Sequence, residues 1–171
     1  YNETILYNLA RLYESQGRFN DAEPLYEELI HIIAEVLGKN HPDYETSLYK
    51  LAELYRVQGR FTDAEKTYKE AINITAERLG KNHPYYAINL NGLAMILHSQ
   101  GRYIDAETLQ NKAINITAEA LGTNHPDYAK TLTTLAVLYR VQGRYTDAEP
   151  LFKKAINITA KALGKNHPDY A

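Results

Sequence analysis

The sequence predicts an all-α solenoid of antiparallel helix pairs, and three observations carry that reading. The chain repeats every 42 residues: Gly17, Gly59, Gly101 and Gly143 share one register, and Gly38, Gly80, Gly122 and Gly164 share another. His-Pro recurs on the same period at His41-Pro42, His83-Pro84, His125-Pro126 and His167-Pro168. Between these markers each unit carries two apolar stripes of helical spacing. A fixed period of roughly 20–50 residues marks a stacked array in which each repeat rests on its neighbours. Residues 43–84 and 127–168 are identical at roughly two-thirds of positions, as tandem duplication gives.

Residues 42–83 show how one unit is built. Pro42 suits a first helical turn, and Asp43 beside it complements the helix dipole. Leu48, Leu51, Ala52 and Tyr55 then fall at i, i+3, i+4 and i+7, one face of a first helix that Gly59 ends. Thr62-Asp63-Ala64-Glu65 reads as a capping box opening a second helix, whose stripe is Ala64, Tyr68, Ala71, Ile72, Ala76 and Leu79. Gly80 closes it. Four such units are expected at about 1–40, 41–82, 83–124 and 125–166, in one continuous domain over 1–171, with His167 to Ala171 opening a fifth. In the third unit Ile104 takes the expected capping position, Gly92 falls inside the first helix and Leu97 replaces the tyrosine of Tyr13, Tyr55 and Tyr139.

Composition narrows the function. With 44% apolar and 23% charged residues the chain folds, and a net charge of −2 with pI about 6.3 argues against nucleic-acid binding. There is no cysteine, so disulfides and thiolate metal sites are excluded. No apolar run approaches the roughly 18 residues that span a bilayer, and no signal peptide is visible, so a cytoplasmic location without membrane contact is expected. No phosphate loop, nucleophile–base pair or metal cluster stands out, so neither an enzyme nor a cofactor is expected. The repeated histidines read as helix starts, because equivalent positions on packed helices lie roughly 8–10 Å apart, too far to share an ion. Asn73, Asn115 and Asn157 match the glycosylation pattern but fall within helices.

The motif Leu48-x-x-Leu51-Ala52-x-x-Tyr55-x-x-x-Gly59-x-Phe61-x-x-Ala64-x-x-x-Tyr68-x-x-Ala71 resembles the tetratricopeptide repeat, in all four units. The period of 42, against the usual 34, is similar to the kinesin light chain type. The resemblance implies a right-handed superhelix whose first helices line a concave groove that holds a partner's peptide segment. By that carry-over the groove residues are Thr4, Tyr7, Asn8, Arg11 and Glu14; Thr46, Tyr49, Lys50, Glu53 and Arg56; Ile88, Asn91, Gly92, Met95 and His98; and Lys130, Thr133, Thr134, Val137 and Arg140. Two asparagines usually bind peptide backbone in this type; Asn91 keeps the first and Asn8 the second. Five of these side chains are basic and two acidic, which favours an acidic or mixed partner segment. The expected function is a peptide-binding scaffold. The alternatives are a spacer that stacks end to end with other copies, or the ligand-sensing arm of a larger signalling protein.

Overall fold

Each repeat forms a pair of packed helices. The computed structural model describes residues 2–163; the expected fifth repeat, from His167, lies outside them. Among the described residues are eight α-helices and no strand: α1 Asn2–Ser15, α2 Phe19–Val36, α3 Pro42–Val57, α4 Phe61–Arg78, α5 Pro84–Ser99, α6 Tyr103–Leu121, α7 Pro126–Val141 and α8 Tyr145–Leu163. They fall into two units, Tyr1–Arg78 and Leu79–Ala171. In the first, α1 packs on α2, α3 on α4, and α2 joins the pairs by packing on α3. In the second, α6 joins α5 to α7 in the same way, α7 packs on α8, and α5 also touches α7. Small residues set the closest approaches: Ala10, Ala52, Ala94 and Ala136 on first helices and Ala22, Ala64 and Ala106 on second helices are fully buried.

One turn chemistry connects every pair. After α3, Gly59 sits at φ 73°, which a side chain would strain. Its N–H donates to the Arg56 carbonyl at 3.1 Å, and the Arg60 N–H donates to the Tyr55 carbonyl at 2.9 Å, a Schellman arrangement. That places the Arg60 guanidinium over the Tyr55 ring, 4.3 Å from its centroid. From there Arg60 donates to Asp63 in the first turn of α4 at 2.8 Å and to Glu23 of the preceding repeat at 2.6 Å. Arg144 repeats the clasp over Tyr139 at 4.0 Å, with Asp147 and Glu107 each at 2.8 Å. Leu97 at the tyrosine's place leaves Arg102 no ring to cover at that position.

The helix starts differ from expectation in a consistent way. α2 and α6 begin with Arg18 and Arg102 at the N-cap, neither making a side-chain cap bond, and α4 begins at Phe61. Asn20, Thr62 and Ile104 are therefore interior residues and the capping box does not form. The i,i+3 Arg–Asp pairs, such as Arg18 to Asp21 at 2.7 Å, hold these first turns instead. Ile104 thus loses no cap, and it is exposed. The first helices are capped by the histidines themselves: Asp43, Tyr85 and Asp127 donate their backbone N–H to Nδ1 of His41, His83 and His125.

Buried tyrosine hydroxyls end on carboxylates. Tyr44 donates to Glu70 at 2.8 Å, Tyr55 to Glu27 at 3.2 Å and Tyr139 to Glu107 at 2.6 Å. Burial first, and the carboxylate second, pushes each of these hydroxyls up to about 12, from an ordinary value of about 10. A raised acid pKa means that the folded state prefers the neutral hydroxyl. The stabilisation is whole below pH 10 and is lost as pH rises through 12. Helical circular dichroism should therefore collapse between these values, and part of the tyrosinate absorbance should appear only with that collapse. Complete tyrosine ionisation near pH 10 with the helices intact would contradict the assignment.

Candidate functional site

Tyr7 and Tyr49 stand at one register position on α1 and α3, next to the core leucines Leu6 and Leu48. Helical geometry turns them partly out of the core. Both are half-buried, and each packs edge-on against the tyrosine of its own second helix. Tyr7 meets Tyr26 with centroids 6.4 Å apart and Tyr49 meets Tyr68 at 5.9 Å. They are therefore neither loose surface rings nor core, and each presents one flank for contact.

The charges around these pairs are exchanged between repeats. The first has Arg11 and Glu14 where the second has Glu53 and Arg56. The buried hydroxyl follows the carboxylate: Tyr26 donates to Glu14 at 2.7 Å, and Tyr68 donates to Glu53. Arg56 also donates to Glu53, at 2.8 Å, so this cation is already compensated. Lys130 is paired in turn with Asp127 at 3.2 Å. Arg11, Lys50 and Arg140 make no ion pair among the described residues; Arg11 lies 5.8 Å from the Tyr7 centroid. The basic character that the residue count suggests therefore narrows to these three side chains.

Between α1 and α3 lies a cavity of about 320 Å³. Leu29 and Ile33 of α2 form its buried floor, and Tyr7 and Ser47 its walls. Glu3, Thr4, Asp43 and Thr46 stand at its rim. Of the expected groove residues, Thr4, Tyr7 and Thr46 meet here, whereas Asn8, Arg11, Tyr49, Lys50, Glu53 and Arg56 lie further along α1 and α3.

The second unit replaces aromatic packing by amides. Asn91 and Gln110 take the places of Tyr49 and Tyr68, and Thr133 and Phe152 take them in the last repeat. Gln110 is fully buried and its Nε2 donates to the Thr131 carbonyl of α7 at 2.8 Å. Gln110 Oε1, Asn91 Oδ1 and His98 Nε2 are buried and meet no hydrogen-bonding group of the protein. His98 rests against Tyr103 at 4.9 Å, Met95 and Val137 are half-buried, and Thr133 donates to the Ala129 carbonyl at 2.9 Å. Arg140 and Lys130 are exposed.

Sequence reasoning missed Gln110, because it lies on a second helix. The available signal was its polarity at a register position that otherwise holds Tyr26, Tyr68 and Phe152. It also missed Glu3 and Asp43 as cavity residues, since first-turn acids are ordinary dipole partners.

The comparisons with known proteins agree with the helix-pair fold. The family model of the tetratricopeptide repeat matches residues 1–77, 45–119, 85–161 and 127–171. Among solved structures, a Podosopora anserina protein of nearly identical TPR-like repeats, of the kinesin light chain kind, is 28% identical. The match covers 98% of this chain and 79% of that one, with a TM-score of 0.78. BtubC (BKLC) from P. vanneervenii is 27% identical over 97% of this chain and 66% of its own, with a TM-score of 0.80. MamA, at 20% identity and a TM-score of 0.62, shares the fold. No curated protein sequence matches the chain. With eight helices in four 42-residue pairs and a family match running from one end to the other, the chain is an all-α helical-repeat solenoid and belongs to the tetratricopeptide repeat family.

Proposed function

We propose that the chain is a non-enzymatic scaffold whose first helices hold an extended or helical segment of a partner protein. Tetratricopeptide repeats generally mediate protein–protein interaction, and no helix among the described residues is long and apolar enough to cross a membrane. The observation that carries the reading is the first-helix face of α1 and α3. It combines two half-buried aromatic rings with the cations of Arg11 and Lys50, which form no ion pair among the described residues. Aromatic flanks beside uncompensated charge are what binding anchors are made of. Arg11 and Lys50 favour acidic residues in the partner and steer their approach.

A peptide-library selection tests this. The intact chain should enrich one acidic motif. The double variant Arg11→Glu with Lys50→Glu should lose at least about tenfold in affinity for it. Lys66→Glu, on the exposed surface of α4, should bind as the parent does. Equal loss in both variants, or no enrichment at all, rejects the groove and returns weight to assembly between copies.

A further inference from the structure

Three first helices open on the same histidine cap, and the three caps are not equal. His41, His83 and His125 hold the chain in extended backbone, and each accepts a backbone N–H at Nδ1. The donors are Asp43 at 3.3 Å, Tyr85 at 3.2 Å and Asp127 at 3.1 Å. An imidazole nitrogen accepts through its lone pair, so the cap exists only while the ring is neutral. Protonation turns Nδ1 into a donor and ends the bond. It also sets a positive charge on the positive end of the helix dipole.

What stands beside the ring decides the consequence. Asp43 Oδ2 lies 3.7 Å from His41 Nδ1, and Asp127 Oδ2 lies 3.6 Å from His125 Nδ1. At these two starts the protonated nitrogen has a carboxylate to donate to, and a charge-assisted bond replaces the lost cap. In the third repeat Tyr85 takes the aspartate's place, its ring 5.2 Å from the His83 ring, and α5 has no acid in its first turn. Among the described residues His83 forms no ion pair. On α6 the charge turned toward this end of α5 is Lys112, which donates to the Tyr86 hydroxyl at 3.3 Å. On α7, Asp127 stands beside its own His125 and pairs with Lys130. The backbone is weaker here too. The His83 N–H reaches the Gly80 carbonyl at 3.4 Å, against 3.1 Å for His41 to Gly38 and 3.2 Å for His125 to Gly122.

We infer that the start of α5 is a proton-sensitive joint: protonation of His83 uncaps this helix, whereas α3 and α7 exchange their caps for His–Asp ion pairs and stay closed. The sign follows from the acceptor. The α5 cap is whole above the pH at which His83 titrates and is lost below it. The effect is local, because a cap governs only the first turn of its helix. Ile88 stands one turn in from Pro84, is exposed, and is one of the expected groove positions. Acid therefore loosens the third repeat's end of the first-helix face and leaves the starts of α3 and α7 ordered. This goes beyond the proposed partner binding and does not depend on it.

The test is amide hydrogen exchange of the whole chain across the pH range in which the His83 Cε1–H resonance titrates, each rate corrected for the intrinsic pH dependence of exchange. Protection of amides 85–88 should fall about fivefold on the acid side, the loss of one helix cap. The corresponding amides 43–46 and 127–130 should change less than about twofold, because the ion pair takes over. His83→Asn keeps a good capping acceptor that does not titrate, and should leave 85–88 protected throughout. Tyr85→Asp supplies the missing carboxylate and should bring α5 into line with α3 and α7. An equal fall at all three helix starts, as general acid unfolding would give, would overturn the inference. So would a fall at 85–88 that survives His83→Asn, or no fall there in the parent chain.

Discussion

Glu45→Ala is expected to destabilise the first unit by about 3–5 kcal/mol, a large share of the stability of a domain this size. Glu45 is 6% exposed and buried against α4, where Thr75 donates to it at 2.6 Å and Arg78 at 2.5 Å. Truncation leaves the Arg78 charge without its carboxylate, and Arg78 Nε already meets no acceptor. Arg78 retains 20% side-chain exposure, so partial escape to water places the loss toward the lower end of the range. Replacing both partners by leucine should recover most of it, because the cost lies in the stranded charge rather than in the lost pair. The third and fourth repeats already place Ala87 and Ala129 at this position. Urea unfolding at unchanged slope measures both variants. A loss below about 1 kcal/mol for Glu45→Ala would show that the pair is a surface contact.

Tyr68 carries the second large effect. It is fully buried, its ring supports Tyr49 edge-on and its hydroxyl donates to Glu53. Tyr68→Ala removes an aromatic core residue and should cost about 3–5 kcal/mol. Tyr68→Phe keeps the ring and removes only the donor. Glu53 still accepts from Arg56, so the expected cost is about 1–2 kcal/mol. Phe152 at the same register shows that the site accepts a ring without a hydroxyl. The two variants should also separate in binding. Tyr68→Phe leaves Tyr49 seated and partner affinity nearly intact, while Tyr68→Ala frees Tyr49 and weakens it. Equal stability losses would mean that the hydroxyl, not the ring, holds this repeat.

The eight helices were legible because a 42-residue period and a 3.6-residue stripe each repeat four times, and errors at one copy are corrected by the others. The capping boxes were misread for a reason the turn makes plain. The glycine at positive φ carries the chain straight into the next helix, so the residue at the cap is Arg18 or Arg102. The pattern Arg-x-x-Asp was present in every copy but resembled surface charge. The family resemblance supplied candidate groove positions, not their energetics. The resemblance gave Tyr7, Tyr49, Lys50 and Arg56, but it does not say that Arg56 is held by Glu53 while Lys50 makes no ion pair among the described residues, since that depends on how the side chains meet. The cavity was invisible for the same reason: its floor comes from Leu29 and Ile33 of α2, and spacing does not show that the side chains of α1 and α3 leave it open.

The most direct test of the interaction face is amide chemical-shift mapping of the chain with the strongest acidic peptide from the selection. Shifts concentrated at Tyr7, Asn8, Arg11, Tyr49 and Lys50, with the exposed residues of α2, α4, α6 and α8 unmoved, are the predicted result. Shifts centred on the outer surfaces of those second helices would contradict it.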